Sequence, residues 1–449
     1  MVLILAAACL FSCAPAEEQN FRVATFTVSA TPAIGVPVAY AKTRSIADSL
    51  TVKGVVIYSD QKPVVLCAVD WLGIANEGLD AWRNSLAEAA GTTPDQVSVH
   101  ALHQHDGARC DYTTARILSN YGLGGWRYDT AFMSQTILKA ASALKRAKSE
   151  AKSITHMGYG QAVVDRVASN RRILGEDGQV SITRWSSTTD SAAIAAEEGL
   201  IDPWLKCVSF WDENKPVVAL YYYTTHPMSH YGQGDVSADF VGIARENREK
   251  DLGFTQVYFS GAGGNITAGK YNDGSPENRY VLSDRVETAM KESWDSQVKV
   301  PIGQSDLQWY TAKVALPLGD HLVEEELIDQ LESEETDSLE KFTAAKHLAW
   351  LYRTREGNPI TVSALNLKNV WLLNLPGELF VEYQLSAQQM RPDGFVCTAA
   401  YEEYGPGYIG TNISYSQGGY ESSARASRVG PGVEEVLMDA IKNVLNATN

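Results

Sequence analysis

The sequence predicts an α/β fold, and two observations carry that expectation. Segments with strand character and segments with helical spacing alternate along the whole chain. Several apolar strands also stop abruptly in polar or glycine-rich turns, the arrangement in which α/β proteins place their chemistry. At 449 residues and 45% hydrophobic, the chain can bury a large core.

The elements follow in order. Residues 1–20 open with a short apolar run, Met1 to Ala16, broken off by polar residues and too short to span a bilayer, which reads as an export signal. Leu10-Phe11-Ser12-Cys13 resembles a lipobox, so Cys13 would be lipidated and tether the chain to a membrane, although no Lys or Arg precedes the run. The expected setting is periplasmic, cell-surface or secreted. Gly54–Tyr58 and Pro63–Val69 are predicted strands, and residues 75–90 form an amphipathic helix. The run Val97 to Gly107 comes next as a strand, then a helix over 130–150. Pro216–Tyr223, Phe254–Phe259 and Asn369–Leu375 are further strands. The charged stretch 322–356 has helical spacing and reads as a solvated helical pair. Phe380, Tyr383, Ala387 and Met390 space out a last helix. No linker, repeat or low-complexity tract divides residues 21–449, which read as one large domain.

Composition narrows the function classes. A net charge of -16 argues against nucleic-acid binding and against electrostatic adsorption on anionic membranes. No protein partner is expected, and the partner that remains is a small-molecule or lipid substrate. With Cys9 and Cys13 in the leader, Cys67, Cys110, Cys207 and Cys397 are widely spaced and build no cysteine metal site. They form disulfides or stay as buried thiols.

Three of the eight histidines, His100, His103 and His105, fall within six positions. In an extended strand alternate side chains share a face, so His103 and His105 would point into one pocket. They supply either two metal ligands or one ligand and one proton carrier. His226, fixed by Pro227 at a strand end, is either a ligand or a surface turn. Glu378, read in the first turn of its helix, is either a ligand or a cap favoured by the helix dipole. Ser260–Thr267 is either an anion cradle or a tight turn that lets backbones approach. No H-E-x-x-H, G-x-S-x-G or P-loop occurs.

Taken in order, these motifs resemble the catalytic domain of the neutral/alkaline, non-lysosomal ceramidases over about residues 21–430. Phe21–Gly35 is similar to the family's opening strand and turn, and Leu102-His-Gln-His-Asp-Gly107 to its T-H-T-H-S-G segment. Thr225-His-Pro227, Ser237–Gly242, Gly261–Ile266, Leu375-Pro-Gly-Glu378 and Gly407–Thr411 follow in sequence. The resemblance implies mixed sheets flanked by helices and one zinc ion per chain, held by His103, His226, Glu378 and Tyr408. It implies that His105 contacts substrate and carries a proton, that Tyr420 binds substrate, and that Arg171, with Arg172 beside it, is the family's site arginine. Zinc in such a set would polarise an amide carbonyl and lower the pKa of a water. Asp106 departs from the family's Ser, placing a carboxylate where it could orient His105, and Gly405-Pro406 departs before Tyr408. The resemblance covers the catalytic domain alone, so the C-terminal immunoglobulin-like domain of well-known ceramidases is not expected. The expected activity is zinc-dependent cleavage of an N-acyl bond, ceramide-like by default. A zinc hydrolase for another N-acyl or ester substrate, or a non-catalytic ligand-binding lipoprotein, stand as alternatives.

Overall fold

The computed structural model describes residues 21–446, so the leader with Cys9 and Cys13 lies outside the described residues. The first sheet contains β1 (Arg22–Ser29), β2 (Thr51–Tyr58), β3 (Val64–Val69), β4 (Val97–Ala101) and β5 (Lys152–Ser153), ordered β4-β3-β2-β1-β5. The second contains β6 (His156–Val163), β7 (Trp204–Asp212), β8 (Lys215–Tyr223), β9 (Thr255–Ser260) and β10 (Val298–Pro301), ordered β9-β8-β7-β6-β10. In the third, β11 (Leu307–Val314), β12 (Ile360–Leu367) and β13 (Val370–Asn374) are separated by the short β14 (Glu378–Leu379) from their last partner, β15 (Phe395–Ala399). A two-residue strand, β16 (Tyr408–Ile409), pairs with β14.

One unit recurs three times: an antiparallel hairpin, a helix, and a strand parallel to the hairpin's second arm. It is built by β2, β3, α1 (Glu77–Ala90) and β4, then by β7, β8, α2 (Asp239–Leu252) and β9. The third copy is β12, β13, α3 (Val381–Met390) and β15. The sequence showed no such repeat, because the units share topology and not residues.

Alternate side chains of each central strand enter two different cores. Val64, Leu66 and Ala68 of β3 meet Val218, Leu220 and Tyr222 of β8 and Val370 and Leu372 of β13 in an inner core between the sheets. Val65, Cys67 and Val69, with Ala219, Tyr221 and Tyr223, face an outer core under the helices. Burial on both faces is why these strands read as continuous apolar runs. Cys67, Cys110, Cys207 and Cys397 are all buried and free.

The three parallel strands meet at their carboxyl ends in a closed ring of hydrogen bonds. Ala101 N–H donates to the Tyr401 carbonyl at 3.2 Å, and Ala400 N–H to the Ser260 carbonyl at 2.8 Å. The Ser260 hydroxyl completes the ring by donating to the Leu102 carbonyl at 2.7 Å.

Two sequence expectations need correction. The stretch 322–356 is a helical pair, α4 (Glu324–Glu332) and α5 (Ser338–Arg355), but α5 is not solvated. Its Phe342, His347, Leu348 and Trp350 are buried, because the helix packs into the outer core. Glu378 lies before its helix, whose N-cap is Phe380, and belongs to β14, where it pairs directly with Tyr408. No described helix is long and apolar enough to cross a membrane.

Candidate metal centre

Each unit brings polar side chains to the strand junction. His103 and His105 follow β4, but in a turn and not in the strand. The strand ends at Ala101, and His103 takes a left-handed backbone, φ 66, which costs roughly 1–2 kcal/mol for a residue with a Cβ. Its counterpart after β15, Tyr401, also has positive φ, 64, and the two rings stack with centroids 4.3 Å apart. The left-handed turn, rather than strand alternation, is what sends the His103 ring into the junction.

His103 Nδ1 lies 2.7 Å from the Leu72 carbonyl. His226, at the end of β8, has Nδ1 2.6 Å from the Gly263 carbonyl and 2.9 Å from that of Ile266. Carbonyls only accept, so both imidazoles donate from Nδ1 and turn Nε2, the nitrogen left for a metal, inward. Burial pushes the pKa of His226 below its ordinary value, which keeps that ring neutral. Glu378 Oε2 sits 3.1 Å from His103 Nε2 and 3.2 Å from His226 Nε2. Tyr408 Oη is 3.4 Å from His226 Nε2, and His105 Nε2 is 3.3 Å from His103 Nε2.

Converging lone pairs repel unless a cation sits among them. Donor atoms around a tetrahedral zinc with bonds of roughly 2.0–2.1 Å are about 3.3–3.4 Å apart, and the contacts here run from 3.1 to 3.4 Å. The buried donor set of two or three imidazole nitrogens, one carboxylate and one phenol therefore fits a small divalent metal. His103, His105 and His226 by themselves place ligand atoms within 4.8 Å of one another.

The surrounding shell explains the rest. Glycine is required at 264, where a Cβ would lie 2.3 Å from the Glu378 carbonyl oxygen. The Gly261–Ile266 turn is thus a close backbone approach that also supplies the acceptors for His226. Arg171 Nη1 donates to Tyr408 Oη at 3.0 Å, and its Nε lies 3.2 Å from Glu421 Oε1. Arg172 turns the other way, pairing with Glu421 Oε2 at 3.2 Å and donating to the Ser414 carbonyl. Tyr420 packs edge-on against Tyr408 at 5.7 Å.

The expected contact between Asp106 and His105 does not form. Asp106 accepts from Gly232 N–H at 2.8 Å and pairs with Arg279 at 3.2 Å. Tyr40 takes that place, with its Oη 2.6 Å from His105 Nδ1 and its ring stacked on the imidazole. Burial, then His103 and His226, hold the His105 pKa well below its ordinary value, so it too is neutral. Tyr40 is one of 21 tyrosines, and no local pattern marks it. Tyr401 and Tyr404, the latter with its ring 5.4 Å from that of His103, carry no sequence signal of their own, although they stand just upstream of Tyr408.

A cavity of ≈ 140 Å³ opens onto this set, lined by His105, Glu378, Tyr408 and Tyr420 and by residues of α5.

No protein-family model matches the sequence, and no curated protein matches it. Solved structures do. The chain superposes on neutral ceramidase from Pseudomonas aeruginosa with a TM-score of 0.68 at 17% identity, covering 95% of this chain and 75% of that one. It superposes on a ceramidase complexed with C2 with a TM-score of 0.66 at 16% identity, over the same shares of the two chains. The three mixed sheets with their flanking helices have the neutral ceramidase-like fold.

Proposed function

We propose that the chain is a zinc-dependent amidase that splits an N-acyl linkage, with a ceramide-like sphingolipid as the default substrate. One observation carries this reading: two inward Nε2 atoms and the Glu378 carboxylate converge in a buried site that opens into a cavity. His103, His226, Glu378 and Tyr408 would hold the metal. Bound there, zinc supplies Lewis acidity toward a carbonyl and a lowered pKa for water.

The protein's own groups do the rest. His105 is neutral and held by Tyr40, so it can take a proton at Nε2 and pass it to a leaving amine. Arg171 fixes the Tyr408 phenol and, buried beside it, favours negative charge on that oxygen. Tyr420, at the cavity wall, would touch the substrate. Export, with a lipid tether at Cys13, is the setting we propose for this activity.

The test is metal content and hydrolysis of a fluorescent ceramide and a panel of N-acyl and ester substrates, with and without EDTA. Amide cleavage that tracks bound zinc, and that His105→Ala abolishes while zinc is retained, is the expected result. Metal-free, EDTA-insensitive cleavage overturns the proposal.

A further inference from the structure

The cavity beside the metal set is far more basic than the chain that builds it. The protein carries 54 acidic and 38 basic residues, yet the cavity lining holds Arg109, Arg127, Lys346 and Arg425 against one carboxylate, Glu378. That carboxylate already belongs to the metal set. Among the described residues none of the four cations forms a salt bridge.

Three of the four crowd one aromatic ring. Arg109 Cζ, Arg127 Cζ and Lys346 Nζ lie 5.3, 5.9 and 4.7 Å from the Phe342 centroid. A ring quadrupole attracts cations but does not neutralise them. Arg109 and Arg127 both direct an Nη1 at the same acceptor, the Ala39 carbonyl, and the Arg127 Nε is buried without a partner. Burial, reinforced by Arg428 and Arg109, drives the Lys346 pKa well below its ordinary value. Like charges held this close without a counter-charge are unfavourable in the empty protein and become favourable when an anion enters.

We infer that the substrate's own oxyanion, a carboxylate, phosphate or sulfate, docks among Arg109, Arg127 and Lys346 while its acyl linkage reaches the metal set. This deepens the amidase reading and rests on it for the reaction. A neutral ceramide leaves the three cations unpaired, whereas an acidic N-acyl compound pairs them.

Four substrates with one acyl chain test this on the zinc-loaded enzyme: N-dodecanoylglycine, N-dodecanoyl-phosphoethanolamine, neutral N-dodecanoylethanolamine, and the C12 ceramide. We expect kcat/KM for the glycine or phosphate compound to exceed that of the neutral one by about tenfold or more, the scale of one charge-assisted hydrogen bond. The better of the two acids identifies the oxyanion. Lys346→Met and Arg127→Gln should shrink that ratio toward one, mainly through KM for the acidic substrate. Arg425→Gln, at an exposed position, gives a smaller loss of the same sign with no risk to folding. If the neutral compounds are cleaved as fast as the acidic ones, the inference falls and the amidase reading stands. If no amide is cleaved, the amidase reading falls, and inorganic phosphate then decides the site. Phosphate-dependent thermal stabilisation that Lys346→Met removes supports the oxyanion site, and none overturns it.

Discussion

Arg171 is predicted to set metal affinity through Tyr408, and replacing it by Met isolates that effect. Its Nη1 donates to Tyr408 Oη at 3.0 Å with both groups buried. A hydrogen bond from a charged donor is worth roughly 1.5–3 kcal/mol, which converts to about 10–150-fold in an equilibrium constant. Loss of a partner just outside a metal's ligands typically costs about 10–100-fold in affinity or activity. The two routes agree, so Arg171→Met should weaken zinc binding, measured by chelator competition, by about 10–100-fold. A second contact complicates the substitution: Arg171 Nε also faces Glu421, a buried carboxylate that Arg172 pairs from the other side. Glu421 keeps its ion pair with Arg172 in Arg171→Met, and a urea midpoint measured on the same variant separates lost folding from lost affinity. A double-mutant cycle with Tyr408→Phe then gives the decisive number. If Arg171 works through the phenol, the double variant binds zinc about as weakly as Tyr408→Phe alone, and the coupling approaches the whole effect of Arg171→Met. Additive losses, or an Arg171→Met affinity within about threefold of the parent, would refute the reasoning.

Three other perturbations follow from the same geometry. Tyr40→Phe removes the 2.6 Å partner of His105 Nδ1 and should lower kcat by about 10–100-fold with zinc content retained, and an unchanged kcat and pH profile would count against a proton role for His105. Gly264→Ala drives a Cβ to 2.3 Å from the Glu378 carbonyl oxygen, where only backbone can give way. It should lower stability by about 1–3 kcal/mol in urea unfolding, and a midpoint equal to the parent's would show that the turn is slack. Burial pushes the Glu402 carboxyl from its ordinary 4.5 up to about 7. A carboxyl raised in the folded state stabilises fully below pH 4.5 and loses that contribution as pH rises through 7. The loss is at most about 3 kcal/mol at roughly 1.36 kcal/mol per unit, so Glu402→Gln should gain stability over the parent at pH 8.5 and not at pH 4.5. Parallel curves across that window would sink the argument.

The parts of the molecule legible in the sequence are those with local signals. The strands buried on both faces announced themselves as apolar runs, and the bounds of β8 and β9 fall within a residue of the predicted ones. The helix read from residue 75 begins at Glu77. His103 stands out by its clustering with His100 and His105, His226 and Glu378 because each follows such a run, and the structure brings them together with Tyr408, His105, Arg171 and Tyr420. What stayed hidden depends on tertiary pairing. The two-residue strands that set Glu378 against Tyr408 are too short to carry periodicity. Tyr40 reaches His105 across 65 positions by a hydrogen bond that no spacing encodes. Charge in α5 suggested a solvated face, yet its buried residues put Lys346 and Phe342 at the cavity. Asp106 misled for the complementary reason: adjacency in sequence to His105 did not survive a turn that points its carboxylate at Arg279.

The threefold recurrence of the hairpin–helix–strand unit accounts for where the site is. Each unit ends a parallel pair of strands at the junction, and the carboxyl ends of parallel strands are where backbone must leave the sheet and side chains become free for chemistry. A single unit offers few such positions. His103 and His105 come from the first, His226 and the Gly263 and Ile266 carbonyls from the second, and Glu378 and Tyr408 from the third. The ring of hydrogen bonds through Ala101, Tyr401, Ala400, Ser260 and Leu102 fixes the three ends against one another. Donor atoms more than a hundred residues apart are thereby held at 3.1–3.4 Å by backbone rather than by side-chain packing alone. Such a junction can tolerate wide divergence in the sheets, provided the ring and the turns beyond it persist, which agrees with a shared fold at 17% identity. The cavity wall lies outside the ring, on α5 and on the turns around Ala39 and Arg109, so its charge can change without disturbing the donor set.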